Sequence, residues 1–166
     1  MPSILRRILL SPDPPPTLVE LAATFPSTLS SPGYVTFCSP DSAIVIEKDL
    51  RSAVIHESPD FISVTNHDAK VEQWNQETWE EALKHEPDVA GIHNLLFNSI
   101  DRKKCVAKMF RSATRRRRSP DLADVIRWVT TKPVLNETTH FSCIMDPARG
   151  VLVWARGYAT PVDMDE

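Results

Sequence analysis

Proline and glycine constrain this chain most, because its 166 residues include fourteen prolines and only four glycines. Proline fixes the backbone angle φ and stiffens a connection, whereas glycine makes connections flexible. We therefore expect short helices and strands joined by stiff loops. So few glycines also argue against glycine-rich loops that bind nucleotide phosphates, and neither the G-x-G-x-x-G nor the P-loop motif occurs.

The first part of the chain predicts one helix followed by four strands. Thr17 can cap a helix that ends at Pro26. Runs rich in β-branched and aromatic residues follow, separated by turn residues, and they predict Tyr34 to Cys38, Ala43 to Glu47, Leu50 to His56 and Phe61 to Thr65 as strands. The short connections favour antiparallel pairing.

The last part predicts two helices and a hairpin. The helices are Asp101 to Ala113 and Pro120 to Val129, and the hairpin pairs His140 to Met145 with Val151 to Ala155. The apolar residues expected to be the buried stripe of the second helix are Leu122, Val125, Ile126 and Val129. Because strands and helices come in separate runs, we predict an α+β fold. Its one mostly antiparallel sheet includes the C-terminal hairpin and carries both helices on one face.

The length of the chain predicts a single domain over residues 1–166. Residues 69–98 are acidic and poor in aliphatic residues, so we predict an insertion there that is the least ordered internal segment. A short helix from Glu77 to His85 is expected within it. Residues 158–166 predict a flexible tail.

Polar residues end the fourth predicted strand, in the order Thr65, Asn66, His67, Asp68. Polar side chains at the end of an apolar strand can line a pocket. Asn and Asp are also common in turns, where they bond to nearby backbone groups, and this is the commoner situation. The residues by themselves leave both interpretations open.

Charge, cysteine spacing and hydropathy argue against several classes of protein. A net charge of −3 gives no general attraction to nucleic acid or anionic membranes. Cys38, Cys105 and Cys143 form no C-x-x-C pair, so we expect no metal site and no cofactor. No apolar stretch is long enough for a transmembrane segment, and Arg6 and Arg7 interrupt the apolar start, which makes a poor signal peptide.

Three segments, in the same order, resemble the acid ceramidase family, which includes N-acylethanolamine acid amidase. They are Thr65-Asn66-His67-Asp68, Asp101-Arg102-Lys103 and Thr131-Lys132-Pro133-Val134-Leu135-Asn136. In the family the corresponding segments are a T-N-Y-D-type strand end, a D-D-R-R-type helix start, and T-K-P-V-L-N before a closing hairpin. The resemblance covers roughly Leu5 to Arg156.

The resemblance implies the αββα sandwich of the N-terminal-nucleophile hydrolases and hydrolysis of the amide bond of N-acyl lipids. In that family self-cleavage exposes an N-terminal cysteine, whose thiol attacks the carbonyl and whose α-amine acts as base, without a metal. Asn66 corresponds to the asparagine that binds the oxyanion. Arg102 corresponds to an arginine of the active-site region, and His67 and Asp68 would contact the substrate.

The chain departs from the family pattern in its nucleophile and in several motif positions. None of the three cysteines has the sequence context of the nucleophile, which is expected upstream of these segments. His67 stands where the family has tyrosine, Ile100 where it has aspartate, and Lys103 where it has arginine. We therefore expect a partial sandwich that is inactive by itself and requires a missing N-terminal segment or a partner chain. The family is lysosomal or secretory, whereas this chain, expressed as printed, is expected in the cytoplasm.

Two other functions stay open. The chain is alternatively a non-catalytic remnant that binds an acyl lipid or a protein through the exposed half of the sandwich. The run from Arg115 to Arg118 is alternatively a nuclear-import or nucleic-acid segment, although the net charge and the lack of interleaved aromatic residues count against it. The family assignment requires the C-terminal hairpin to lie in the same sheet as the first four strands.

Overall fold

A computed structural model describes residues 2–10, 14–85, 92–115 and 119–158. The α-helices in these ranges are α1 (Pro2–Leu10), α2 (Leu18–Thr24), α3 (Gln76–His85), α4 (Ile92–Thr114) and α5 (Leu122–Val129). The strands are β1 (Gly33–Cys38), β2 (Ala43–Lys48), β3 (Ala53–Ser58), β4 (Phe141–Asp146) and β5 (Val151–Gly157), and a 3-10 helix spans Ala69–Gln73. This mixture of helices and antiparallel strands confirms the α+β class.

Contacts between residues group the chain into two compact units, Met1–Val64 and Thr65–Glu166. The boundary falls immediately before Thr65, the first residue of the polar segment that the sequence singles out. The prediction of a single domain stays a prediction, because a unit defined by its contacts need not be a separate domain. The two units are described separately below.

The first unit is a three-stranded antiparallel sheet in the order β1-β2-β3, with helices packed on it. Its core lies between α2 and the sheet, where Phe25 is fully buried and meets the Phe37 ring edge-on, with 5.7 Å between ring centroids. Ile46 on the central strand is also fully buried. Thr17 and Glu20 form a reciprocal capping box at the start of α2, which confirms the predicted cap.

The helix α1 was not predicted from the sequence. Ile4, Leu5 and Ile8 follow helical spacing and pack against the core of the first unit, whereas Arg6 and Arg7 are exposed on the other side. The two arginines that interrupt the apolar run therefore mark the polar face of an amphipathic helix.

The predicted fourth strand, Phe61 to Thr65, is wrong. The Ser58 hydroxyl oxygen accepts hydrogen bonds from the backbone N–H groups of Asp60 (3.3 Å) and Phe61 (3.2 Å). This turn ends β3 and leads the chain away from the sheet. Only an isolated bridge from Thr65 to His67 follows it.

The prediction of one sheet is also wrong. In the second unit, β4 and β5 pair only with each other and form a separate two-stranded antiparallel sheet among the described residues. The helix α5 packs against β4.

The region predicted as an insertion, residues 69–98, is largely helical where it is described. It contains the 3-10 helix, α3 and the start of α4, which begins well before the predicted Asp101. The rings of Trp79 and Phe97 stack at 5.3 Å between centroids and join α3 to α4. Whether this region is the least ordered stays a prediction, and residues 86–91 lie outside the described residues. The predicted tail also lies outside them, apart from Tyr158.

The buried face of α5 differs from the predicted stripe. Trp128 and Asp124 are buried, whereas Leu122 is 46% exposed and the other predicted residues are half-buried. Asp124 can be buried because its carboxylate accepts hydrogen bonds from the backbone N–H of Asp121 and from the side chain of Arg127. Burial of a charged residue at the first turn cannot be read from apolar periodicity.

Replacing Phe25 with alanine should destabilise the first unit by about 3–5 kcal/mol, because the change removes a fully buried ring and leaves a cavity. Hydrogen exchange of the β2 amides measures this loss. Val19→Ala is the control, since Val19 is 78% exposed on α2, the helix that Phe25 caps, and its change should cost less than about 0.5 kcal/mol. A loss below about 1 kcal/mol for Phe25→Ala would show that this core is not what stabilises the sheet.

Candidate functional site

The structure brings together the first two segments that carry the resemblance. The Arg102 side chain donates from Nη2 to Asn66 Oδ1 at 2.9 Å, across a separation of 36 residues. Arg102 Nε also donates to the backbone carbonyl of Asn98, one turn earlier on α4, at 3.4 Å. The helix therefore holds the guanidinium group against the polar segment.

This contact fixes the orientation of the Asn66 amide. A guanidinium group has only donors, so the amide must turn its carbonyl oxygen toward Arg102. The two N–H bonds of the amide then point away from the arginine. Asn66 is exposed, so a ligand can reach this residue. The nearby positive charge also polarises the amide and strengthens its N–H groups as donors.

Next to Asn66, the His67 ring is buried, with only 2% of the residue exposed. Its Nδ1 lies 2.8 Å from the hydroxyl oxygen of Ser99 and 3.2 Å from that of Thr65. Its Nε2 lies 3.3 Å from Glu72 Oε1. Both ring nitrogens therefore have partners, as a buried imidazole requires.

Glu72 links the histidine to α4. Its Oε1 also accepts a hydrogen bond from Lys103 Nζ at 2.6 Å. Partial burial acts to raise the pKa of Glu72, but the hydrogen bond and charge of Lys103, with a further contribution from His67, outweigh it. The pKa of Glu72 therefore lies below its ordinary value, and the side chain is a carboxylate at neutral pH.

The ionised carboxylate determines which nitrogen of His67 carries the proton. Nε2 must donate to Glu72, since a lone pair directed at a carboxylate would be repelled. In the neutral ring Nδ1 then accepts from the hydroxyl of Ser99 or of Thr65. The set Thr65, His67, Glu72, Ser99 and Lys103, which we call the His67 network, is thus mutually satisfied.

Ser99, His67 and Glu72 have the order of a nucleophile, a base and an orienting carboxylate. The serine is nevertheless fully buried, with 0% of the residue exposed, so a substrate cannot reach its hydroxyl in this structure. We interpret the arrangement as structural: it joins residues 65–72 to α4 and so places Asn66 beside Arg102.

The sequence did not identify Ser99 or Glu72 as part of this site. Ser99 falls between the predicted insertion, residues 69–98, and the predicted helix start at Asp101, whereas α4 begins at Ile92. Glu72 was counted among the acidic residues of that insertion. One signal was present in the sequence, since Lys103 beside Arg102 is a cation that can pair with a carboxylate.

Asp68 lies at the start of the 3-10 helix. Its backbone carbonyl accepts from the Val71 N–H at 3.0 Å, and its carboxylate pairs with Lys70 at 3.2 Å. The substrate contacts assigned to His67 and Asp68 by the resemblance stay predictions. In this structure the His67 ring is occupied on both nitrogens, and Asp68 is part of a turn.

The third segment of the resemblance also adjoins α4. It follows α5, and its Lys132 carbonyl lies 4.0 Å from Cys105 Sγ, on the helical turn after Arg102. At its end the side-chain oxygen Oδ1 of Asn136 accepts from the backbone N–H and hydroxyl of Thr138 and from the hydroxyl of Thr139. The helix α4 thus contacts both the Asn66 segment and the segment Thr131–Asn136.

The cysteines are free, and they lie on different elements. Cys38 on β1 and Cys143 on β4 are exposed, and Cys105 on α4 is half-buried. Burial raises the pKa of the Cys38 thiol, which leaves less of the nucleophilic thiolate at neutral pH. Of the basic run, Arg116 to Arg118 lie outside the described residues.

Comparison with known proteins identifies no relative: no family model, no curated protein and no solved structure matches the chain. Within the described ranges, no group of three or more His, Cys, Asp or Glu side chains is placed to hold a metal ion. None of the described helices is both long and apolar enough to cross a membrane.

The charge of Glu72 should make stability depend on pH. Its pKa is lowered by folding, so its contribution is present above the unfolded pKa of about 4.3 and is lost as the pH falls through the folded value. Glu72→Gln should therefore cost about 1 kcal/mol at pH 6–7, and the difference from the original protein should shrink toward zero near pH 2–3. Denaturant unfolding over this pH range measures both.

The matched control is Glu81→Gln, because Glu81 pairs with Lys84 on the exposed face of α3. Its effect should stay below about 0.5 kcal/mol at every pH. A Glu72→Gln difference that did not change between pH 7 and pH 2.5 would contradict the assignment of Glu72 as a carboxylate paired with Lys103.

Proposed function

We propose that this chain supplies the oxyanion-binding part of an acid ceramidase-like site, which hydrolyses N-acyl lipid amides to a fatty acid and an amine or sphingoid base. The observation that carries the proposal is the 2.9 Å hydrogen bond from Arg102 to Asn66. The resemblance assigns both residues to an active site, although they are far apart in the sequence. A chance similarity of short motifs would not require them to touch.

The chemistry expected of Asn66 follows from its orientation. Attack on an amide carbonyl places negative charge on the carbonyl oxygen, and a neutral N–H donor stabilises this charge. Arg102 occupies the carbonyl side of the Asn66 amide, so the N–H groups are left for the oxyanion. The His67 network keeps the segment in place, which lowers the reorganisation needed at the moment of reaction.

The nucleophile of the proposed reaction comes from outside these 166 residues. An internal cysteine gains a free α-amine only by self-cleavage of the bond before it, and none of the three cysteines has the sequence context of the family's nucleophile. In addition, the raised pKa of Cys38 disfavours its thiolate. The chain would therefore act together with a preceding segment or a partner chain that carries an N-terminal cysteine.

The sandwich fold that belongs to this proposal has less support than the site. The α+β class and the antiparallel pairing agree with it. The separate sheet formed by β4 and β5 counts against it, since the family assignment required the hairpin to join the first sheet. The proposal therefore depends on the contact between Asn66 and Arg102 rather than on topology.

A non-catalytic function in binding is favoured by one observation. The outer face of the β4–β5 hairpin exposes Phe141, Met145 and Leu152, which is unusual for a sheet face in water. This face lies on β4 and β5, whereas Asn66 lies in the connection between β3 and the 3-10 helix, so the two functions use different residues.

The chain by itself should not release fatty acid from a fluorescent N-acyl amine at acidic or neutral pH. Loss of a nucleophile costs on the order of 10⁶ in turnover, whereas loss of one oxyanion donor costs on the order of 10²–10³. The assay should include a variant with Cys38, Cys105 and Cys143 all changed to alanine. Turnover that disappeared in this variant would show that one of them is a nucleophile.

Binding of the product tests the site without catalysis. A fluorescent fatty acid carries a carboxylate that the Asn66 amide can bind as it would an oxyanion, so Asn66→Ala should weaken binding about 5–10-fold. Gln73→Ala is the control, because Gln73 is an exposed amide on the adjoining segment. Equal affinities of the original protein and the Asn66→Ala variant would contradict the proposed function.

A further inference from the structure

The β4–β5 hairpin has one face that carries no charged side chain. The residues on this outer face are Phe141, Cys143, Met145, Leu152, Ala155 and Gly157. Phe141 is 70% exposed, Met145 71% and Leu152 59%. The alternate residues of β4 are half-buried, and α5 packs against this strand, so the inner face is the covered one.

An exposed apolar sheet face of this kind is expected to pack against another surface. A two-stranded hairpin is only marginally stable by itself, and it usually requires a further sheet or helix on its apolar side. Here α5 provides that support on one side only. The large exposed side chains on the other side are typical of a surface that binds another protein.

The register of the hairpin places large residues on one strand and small ones on the other. Phe141 pairs with Gly157, and Cys143 pairs with Ala155. At these positions the β4 side chains therefore project farther from the sheet than the β5 side chains. At the far end Met145 pairs with Leu152, so two flexible apolar side chains meet there.

We propose that the outer face binds the same face of a second copy of this chain. A two-fold axis that runs parallel to the strands, between two stacked hairpins, places β4 of each copy over β5 of the other. The Phe141 ring of one copy then fills the space above Gly157 of the other. The face is complementary to itself in this arrangement, which is the requirement for a symmetric dimer.

Charge and size define the kind of dimer. The six outer positions carry no charge, so two copies do not repel one another at the contact. The face of one short hairpin is smaller than the ~800 Å² that each partner buries in a standard interface. The dimer is therefore weak and should form in the micromolar range of concentration.

The arrangement also predicts how far apart the two Cys143 residues lie. Stacked sheets are separated by about 10 Å and neighbouring strands by about 4.8 Å, so the two Cα atoms lie about 11 Å apart. This is too far for a disulfide, which needs Cα atoms within about 7 Å. It is within reach of a short bismaleimide.

Sedimentation of the full chain at about 1–200 μM tests association. The average mass should rise from monomer toward dimer, with a dissociation constant of roughly 10–100 μM, because the interface is small. Met145→Glu places like charges at the contact, and Ala155→Arg fills the β5 side of the face, so both should remain monomeric. Val19→Glu is the control, since Val19 is an exposed apolar residue of the other unit, and it should dimerise like the original protein.

Cross-linking tests the geometry without changing the face. In a variant with Cys38→Ser and Cys105→Ser, the bismaleimide should join two chains through Cys143, whereas a copper oxidant should not. A chain that stays monomeric at 200 μM would overturn the proposal. A dimer that persists in both Met145→Glu and Ala155→Arg, or that forms a Cys143 disulfide as readily as the bismaleimide product, would overturn it as well.

Discussion

The buried ring of His67 is the group on which the arrangement of the candidate site depends. It contacts the hydroxyls of Thr65 and Ser99 through one nitrogen and Glu72 through the other. Burying a polar group costs free energy unless every donor and acceptor has a hydrogen-bond partner. The histidine therefore specifies one position of residues 65–72 against α4, and any displacement would leave a buried nitrogen without a partner.

The contact between Asn66 and Arg102 follows from this anchoring. Asn66 is adjacent to His67, and Arg102 lies one turn beyond Ser99 on α4, so the network sets both ends of their hydrogen bond. Lys103 and Glu72 add a second link between the same two segments. The His67 network thus positions the segment, and the exposed amide of Asn66 is the group that would bind the oxyanion.

Much of the first unit could be predicted from the sequence, because alternating apolar residues and an explicit helix cap are local signals. Thr17 and the strands up to β3 are of this kind. The separate β4–β5 sheet and the burial of Asp124 could not be predicted, since both depend on which elements pack together in the folded chain. For the site, the sequence singled out Asn66 and Arg102 through the resemblance. Ser99 was not singled out, because no motif contains it and α4 begins earlier than the sequence predicts.

A double-mutant cycle on Asn66→Ala and Arg102→Met tests the central claim most directly, because methionine keeps the aliphatic stem of the arginine and removes its donors. Unfolding free energies of the four proteins give the coupling between the two side chains. A hydrogen bond to a charged group predicts a coupling of about 1 kcal/mol, with the single changes less costly together than their sum. A coupling of zero within about 0.3 kcal/mol would show that the two residues do not touch, and the proposed site would be wrong.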